Sequence, residues 1–214
     1  MDADKRVSEY WNSYYSDSDI PKVPSQFCVF VANEFPQIQT VVEVGCGNGR
    51  DSLYFSQTGR SVVAVDASTA AVESCRETAA RYKTPAQFVA ADVMDPDIVE
   101  TIKARLPSDC TDLIVYARFF LHAIDDEAES KFLADMKRVI DGKDARVCLE
   151  FRTERDEALK KTTKTHYRRF VNVAHFLAKS GTAGFACEYL VEGFGMAKYR
   201  EDDAYVARVI LKNA

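Results

Sequence analysis

No stretch of this chain approaches the about 20 continuous apolar residues that a membrane span requires, and the opening residues, MDADKRVSEYWNSYY, lack the apolar core of a secretory signal. A cytoplasmic protein without membrane attachment is expected. No CxxC pair occurs either: Cys28, Cys46, Cys75, Cys110, Cys148 and Cys187 stand singly. That spacing disfavours structural zinc and thioredoxin-like chemistry and suits a reducing compartment, so all six are expected as small core hydrophobes. Internal repeats and low-complexity segments are missing, and no carboxylate cluster suggests a magnesium site, so no metal is expected. Basic charge is not in excess: 28 Lys+Arg face 33 Asp+Glu, a net charge of −5, which argues against a protein devoted to coating nucleic acid. What remains is one ordinary domain of 214 residues, 47% hydrophobic and 29% charged, long enough to bury roughly 70% of its unfolded surface without disulfides or a structural metal.

From residue 40 onward, short β-branched runs alternate with amphipathic helical patterns, the signature of βα units on a parallel sheet. Strands are expected at 41–44, 61–65, 87–90, 113–116 and 146–151. The helix at 50–57 closes at Gly59, and the next carries Val72, Cys75 and Ala79 on one face with Ser68 as its cap. Asp95 and Pro96 read as an N-cap and first-turn pair opening a helix to about 106 with Ile98 and Ile102 inward. The helix at 126–141 places Phe132, Leu133, Met136, Val139 and Ile140 at helical spacing and stops at Gly142. A polar stretch at 152–169 precedes a helix at 170–179 ended by Gly181. Runs at 186–191 and 204–211 read as an antiparallel pair. Residues 1–39 stand apart, with Tyr10, Trp11, Tyr14 and Tyr15 clustered and a helix expected at 24–35. They read either as a helical lid over the site or as a helix docked on the sheet.

The sharpest motif is Val41-Val42-Glu43-Val44-Gly45-Cys46-Gly47-Asn48-Gly49, a strand running straight into alternating glycines. Side chains are excluded there so that a ligand can lie against the backbone, and the next helix N-terminus offers N–H groups. Arg50 stands where a dinucleotide fingerprint wants its third glycine, which counts against NAD. Asp66 ends the second strand about twenty residues on, where a carboxylate can accept both hydroxyls of a ribose. Asp92 ends the third, placed to accept from an adenine amine. Either aspartate alone could be a cap or turn residue; with the glycine loop, they converge on the strand-end crevice of an open α/β sheet.

These residues resemble the class I, seven-stranded S-adenosylmethionine-dependent methyltransferases. The resemblance rests on VVEVGCGNGRD, VVAVDAS, FVAADVMD and DLIVYARFFLHAI in that order and covers about residues 40–212. It implies a Rossmann-like α/β three-layer sandwich with sheet order 3-2-1-4-5-7-6 and an antiparallel last strand, a methyltransferase domain at 40–214, and S-adenosyl-L-methionine as cofactor. The glycine loop would lie under the methionine part, Asp66 would hold the ribose and Asp92 would meet the adenine. The expected cofactor-binding set is Glu43, Gly45, Gly47, Gly49, Asp51, Asp66, Ala67, Asp92, Val93 and Tyr116.

Nucleobase amino-methyltransferases usually carry an Asn/Asp-Pro-Pro-aromatic motif after the fourth strand. Tyr116-Ala117-Arg118-Phe119 stands here instead, which disfavours base flipping. Residues 152–169 hold seven basic side chains (Arg152, Arg155, Lys160, Lys161, Lys164, Arg168, Arg169) against Glu154, Asp156 and Glu157. Such a run is either a solvated face or an anion-binding rim. YARFFLH, EFR and HYRR together are similar to small bacterial methyltransferases associated with surface polysaccharides and phosphorylated metabolites, which implies a small anionic acceptor. Arg118, Arg152 and Arg168 would then position it, with Tyr14, Tyr15, Tyr167 and His122 also lining the site. For a hydroxyl acceptor His122 is the candidate general base, although a histidine in FFLHAI can equally be a packed structural residue. O-methylation of an anionic metabolite or saccharide is the leading expectation. N-methylation of a small amine and a non-catalytic cofactor-binding subunit remain open.

Overall fold

Apolar residues at successive positions, as in Val41-Val42 and Leu113-Ile114-Val115, suit strands covered on both faces, and such strands make up the centre of the molecule. The structure is a computed structural model, and it describes residues 23–159, 167–199 and 201–214; Tyr10, Trp11, Tyr14 and Tyr15 lie outside the described residues. Helix α1 (Gln26–Glu34) precedes β1 (Thr40–Val44), α2 (Arg50–Gln57), β2 (Ser61–Asp66), α3 (Thr69–Tyr82), β3 (Gln87–Ala90), α4 (Ile98–Lys103) and β4 (Asp112–Arg118). A short 3-10 turn, Leu121–Ala123, leads to α5 (Asp126–Val139) and β5 (Asp144–Arg152); another, Glu154–Asp156, follows β5. The chain ends with α6 (Val173–Thr182), β6 (Phe185–Gly193) and β7 (Val206–Asn213).

The seven strands pair in the order β3-β2-β1-β4-β5-β7-β6. The first five are parallel to one another, and β7 runs antiparallel to both β5 and β6. One face of the sheet is covered by α4, α5 and α6 through Ile102, Phe132, Met136 and Phe176. The other is covered by α1, α2 and α3 through Phe27, Val31, Phe55, Val72 and Cys75. This is the three-layer sandwich the sequence implied.

Four local expectations shift. Asp95 does not cap α4: its carboxylate accepts from the Asp92 N–H at 2.8 Å, closing a turn, and the helix begins at Ile98. Helix α6 starts at Val173, not 170, because Asn172 accepts from the His175 N–H at 2.9 Å, while the preceding residues bridge to β5 through Thr153 and Val171. Gly181 lies inside α6; the chain turns at Gly184, φ +85°. Cys187 is exposed and Cys110 half-buried, so only Cys28, Cys46, Cys75 and Cys148 are core residues.

The two glycines make opposite forecasts. Gly181 sits in a helix, and a Cβ added there meets nothing within 4 Å, so Gly181→Ala is expected to stabilise by roughly 0.5–1 kcal/mol. Gly184→Ala is expected to destabilise, because its left-handed backbone strains an alanine and Lys137 crowds the added carbon at 3.2 Å. Urea midpoints of the two variants check both signs.

Candidate functional site

The C-terminal ends of β3, β2, β1 and β4 adjoin where strand order reverses, the crevice in which open α/β sheets hold ligands. Strand β1 is buried over its whole length and delivers a loop whose Gly45 and Gly49 have φ of +74° and +70°. Both positions are also sterically closed to a side chain. A Cβ on Gly45 would lie 2.8 Å from the Phe120 ring, and one on Gly49 would lie 2.7 Å from Cys75 Sγ. The loop therefore presents bare backbone, and no side chain caps α2 behind it, the arrangement that leaves N-terminal N–H groups to a ligand.

Asp66, at the end of β2, accepts from the Gly47 N–H at 2.8 Å and the Ser68 N–H at 2.9 Å, one on each oxygen. Each oxygen keeps a lone pair, which suits the vicinal diol of a ribose. Burial lifts its carboxyl above the ordinary aspartate value, partly offset by those two N–H groups, with the neighbouring Asp92 adding to the rise. Asp92 is exposed after β3, its Oδ1 taken by the Met94 N–H at 2.8 Å. Ala67 is exposed beside Asp66 and Val93 is buried beside Asp92. The bare loop and the two aspartates fit S-adenosylmethionine: a surface for its methionine part, acceptors for its ribose and an acceptor beside its adenine.

Glu43, Asp51 and Tyr116 are arranged differently, as a buried network. Asp51 accepts from the Ser25 N–H and Ser25 Oγ, both at 2.7 Å, and from the Tyr116 hydroxyl at 2.8 Å. The Tyr116 ring is fully buried, stacked on Phe27 at 5.2 Å and edge-on to Phe55 at 5.3 Å. These side chains tie α1 and β4 to the helix after the glycine loop. Glu43 takes a very short bond from Ser52 Oγ. Burial and the Asp51 charge push the Glu43 carboxyl well above its usual range, against the pull of that hydroxyl. Ser25 gives no motif in the sequence beyond its place before a helix, so its part in this network could not be read there.

On the other side of the crevice, Arg118 ends β4 and donates from Nε to Glu150 at 2.8 Å. Arg208 donates to the other Glu150 oxygen, also at 2.8 Å. The three are direct cross-strand partners on β4, β5 and β7, and Glu150 is 1% exposed. Neither Nη of Arg118 has a hydrogen-bond partner among the described residues, while its guanidinium lies 4.2 Å from the Phe119 ring centre. Phe119 has φ +55°, a genuine outlier for a bulky residue, worth roughly 1–2 kcal/mol of strain. His122 is buried in the 3-10 turn, edge-on to Phe119 at 5.2 Å, and its carbonyl accepts from the Arg169 N–H.

Arg152 is not available as an anion clamp. It is buried, giving Nη1 to Asp156 at 2.5 Å and Nη2 to Asp202 at 2.8 Å. Arg169 is likewise committed, to Glu129 and to the Leu121 carbonyl. The basic run is thus partly a set of internal staples, because a guanidinium drawn under a loop must be matched by carboxylates. Tyr167 is exposed and Arg168 half-buried; Lys160, Lys161 and Lys164 lie outside the described residues. Glu150, Arg208 and Phe119 were missed in the sequence. For the two charged residues, a lone acid in VCLEFR and a lone base in VARVIL were the signal, since charges inside buried strands require partners. Among the described residues no cluster of His, Cys, Asp and Glu is arranged to hold a metal ion, and no helix is long and apolar enough to cross a membrane.

Two outcomes follow from the buried charges. A carboxyl raised on folding holds its proton more tightly in the native state, so its contribution falls as pH climbs from the ordinary glutamate value of about 4.3. Glu43→Gln is therefore expected to gain stability over the natural protein progressively as pH rises above about 4.3; a difference that stays flat with pH in denaturant titrations rejects this. Arg152→Ala removes the guanidinium shared by the buried Asp156 and Asp202 and is expected to lose about 3 kcal/mol or more in the same measurement.

Residues 41–142 match a family model described as methyltransferase domain. Among solved structures, the chain is similar to an S-adenosylmethionine-dependent methyltransferase from Anabaena variabilis, with 18% identity and a TM-score of 0.70 over 100% of this chain and 96% of that one. It is also similar to a TehB-like S-adenosylmethionine-dependent methyltransferase from Corynebacterium glutamicum, with 15% identity and a TM-score of 0.64 over 99% and 98%. The 1,6-didemethyltoxoflavin-N1-methyltransferase of Burkholderia thailandensis, with bound 1,6-didemethyltoxoflavin and S-adenosylhomocysteine, shares 17% identity and a TM-score of 0.68 over 97% and 87%. At these identities the structural likeness speaks to the fold. No curated protein matches the chain. The family match thus places a methyltransferase domain at residues 41–142, over the glycine loop and both strand-end aspartates, on a sheet of order 3-2-1-4-5-7-6.

Proposed function

We propose that the protein is an O-methyltransferase whose acceptor is a small molecule carrying a carboxylate or phosphate, a phosphorylated saccharide being one such class. The observation that carries this reading is Arg118. Its Nε is fixed on Glu150 and one face is covered by Phe119, and its two Nη groups have no partner among the described residues. A guanidinium held in that way offers a planar fork suited to an oxyanion. It stands at the end of β4, next to the β1 loop where the resemblance puts the methionine part of the cofactor.

When bound, S-adenosylmethionine supplies an electrophilic methyl group on a sulfonium. The chain's own residues have to bind, align and desolvate. In this reading the loop from Gly45 to Gly49 supports the methionine part, Asp66 takes the ribose hydroxyls and Asp92 the adenine amine. Arg118 orients the acceptor oxyanion, and the Phe119 and Phe120 rings keep water from the reacting atoms. An ionised oxygen needs no base. For a hydroxyl on the same acceptor, His122 is the imidazole closest in sequence to the end of β4 and would take the proton. The N-methyltransferase among the similar structures makes a small amine the second reading, but a cationic amine beside Arg118 would face like charge, which weighs against it.

Arg118→Ala is expected to raise the acceptor KM roughly 10- to 100-fold, the value of a lost charged hydrogen bond, with S-adenosylhomocysteine affinity nearly unchanged. Arg118→Lys should restore only part of it, because the fork geometry is gone. The check is methyl transfer from labelled cofactor across carboxylated, phosphorylated and amine acceptors. Preferential turnover of amines, indifferent to Arg118, would reject the anionic assignment.

A further inference from the structure

Arg118 and Phe119 are consecutive, yet they stack. Neighbouring residues on an extended strand point to opposite faces of the sheet, so a Phe119 that simply continued β4 would carry its ring away from the guanidinium. The left-handed backbone at Phe119, φ +55°, turns the ring back until Arg118 Cζ lies 4.2 Å from its centre. The Phe119 N–H still donates to the Glu150 carbonyl at 2.8 Å, so the turn occurs while the chain remains tied to β5. A glycine would adopt this conformation without strain, which makes the choice of an aromatic residue at this point informative.

The ring is held from its other sides as well. Arg152 Cζ lies 5.5 Å from the ring centre, fixed by its bonds to Asp156 and Asp202. His122 meets the ring edge-on at 5.2 Å, and Ala197, Ala204, Val206 and Met196 pack with it. Phe119 is therefore a fixed surface, and Arg118 is the side chain with two partnerless Nη groups resting on it. Guanidinium faces are weakly hydrated and stack well on aromatic rings, while the hydrogen-bonding capacity lies along the edge. A covered face and an Nε committed to Glu150 leave that edge as the outlet.

We infer that Phe119 is a positioning residue that presses Arg118 into one planar orientation, so that its Nη edge forms a preorganised oxyanion fork at the end of β4. This rests on the reading of Arg118 as the acceptor's anion site. The expected consequence is on acceptor affinity rather than on the cofactor, because the residue acts through Arg118 and not through the glycine loop.

The test uses the full chain saturated with S-adenosylhomocysteine and two probes, benzoate and inorganic phosphate, titrated by calorimetry and by the NMR signal of the Arg118 Nε–H. Phe119→Leu keeps an apolar filling and removes the aromatic face; Phe119→Tyr keeps the face. The expected result is a loss of about tenfold in probe affinity for Phe119→Leu and near-natural affinity for Phe119→Tyr, with S-adenosylhomocysteine binding unchanged in both. The Arg118 signal, shifted by the ring in the natural protein and in Phe119→Tyr, should move toward the position of a solvated arginine in Phe119→Leu. Probe binding that depends on Arg118 but is the same in Phe119→Leu, with an unmoved Arg118 signal, overturns this inference alone. An equal loss of probe and S-adenosylhomocysteine affinity in Phe119→Leu shows a general structural effect and also overturns it. Failure of the natural protein to bind either probe overturns the anionic acceptor and this inference with it.

Discussion

A carboxylate inside a sheet must be neutralised, and Glu150 is where this protein meets that requirement. It is buried on β5 with Arg118 beside it on β4 and Arg208 beside it on β7. Each arginine serves one of its oxygens, and the antiparallel insertion of β7 between β5 and β6 brings the second one into register. Breaking such a pairing leaves an uncompensated buried charge, which is far costlier than never having placed the charge there. Arg208 extends the reach of this one carboxylate further: its guanidinium lies against Phe27 and Phe30 of α1 and donates to the Met196 carbonyl in the loop before β7. Four elements and one rim loop thus meet around Glu150.

The two halves of the crevice differ in charge for the same reason that they differ in chemistry. On the β1–β3 side the strand ends carry Asp66 and Asp92, with Glu43 and Asp51 buried nearby, a setting suited to hydroxyls, an amine and a cationic sulfonium. On the β4–β5–β7 side the strand ends carry Arg118, Arg152 and Arg208. Most of that positive charge is spent internally, on Glu150, Asp156 and Asp202, so the charge balance of that side is set by the few guanidinium groups left over. Average composition, which is mildly acidic, hides this division completely.

Helix α1 joins both halves. Ser25 bonds Asp51 behind the glycine loop, and Phe27 stacks on Tyr116 of β4, while Arg208 lies over Phe27 from the far side. The segment that reads as separate from the domain in the sequence is, from residue 25 onward, part of its core, because the lower face of a parallel sheet needs a third helix to cover it beside α2 and α3.

What the sequence determined by itself is whatever local chemistry enforces. Strands β1 to β5 follow from β-branched runs that only a doubly covered sheet can bury, and the glycine loop follows from a strand that runs straight into residues without side chains. Asp66 and Asp92 were legible because they terminate such strands, so their position in a crevice comes with the topology. Helix starts at Ile98 and Val173 were not: Asp95 and Asn172 are both good capping residues, yet Asn172 caps its helix while Asp95 is drawn into a turn with Asp92. The fate of the arginines was likewise decided by tertiary structure. Arg118 and Arg152 look alike in sequence, each a base at the end of a strand. One retains unpaired Nη groups among the described residues and the other is locked, because Asp202 arrives beside Arg152 from 50 residues away, and no local pattern can announce a partner at that distance. The same holds for Phe119, whose left-handed turn, tied to β5 by its N–H and placed between two guanidinium groups, follows from no preference of phenylalanine.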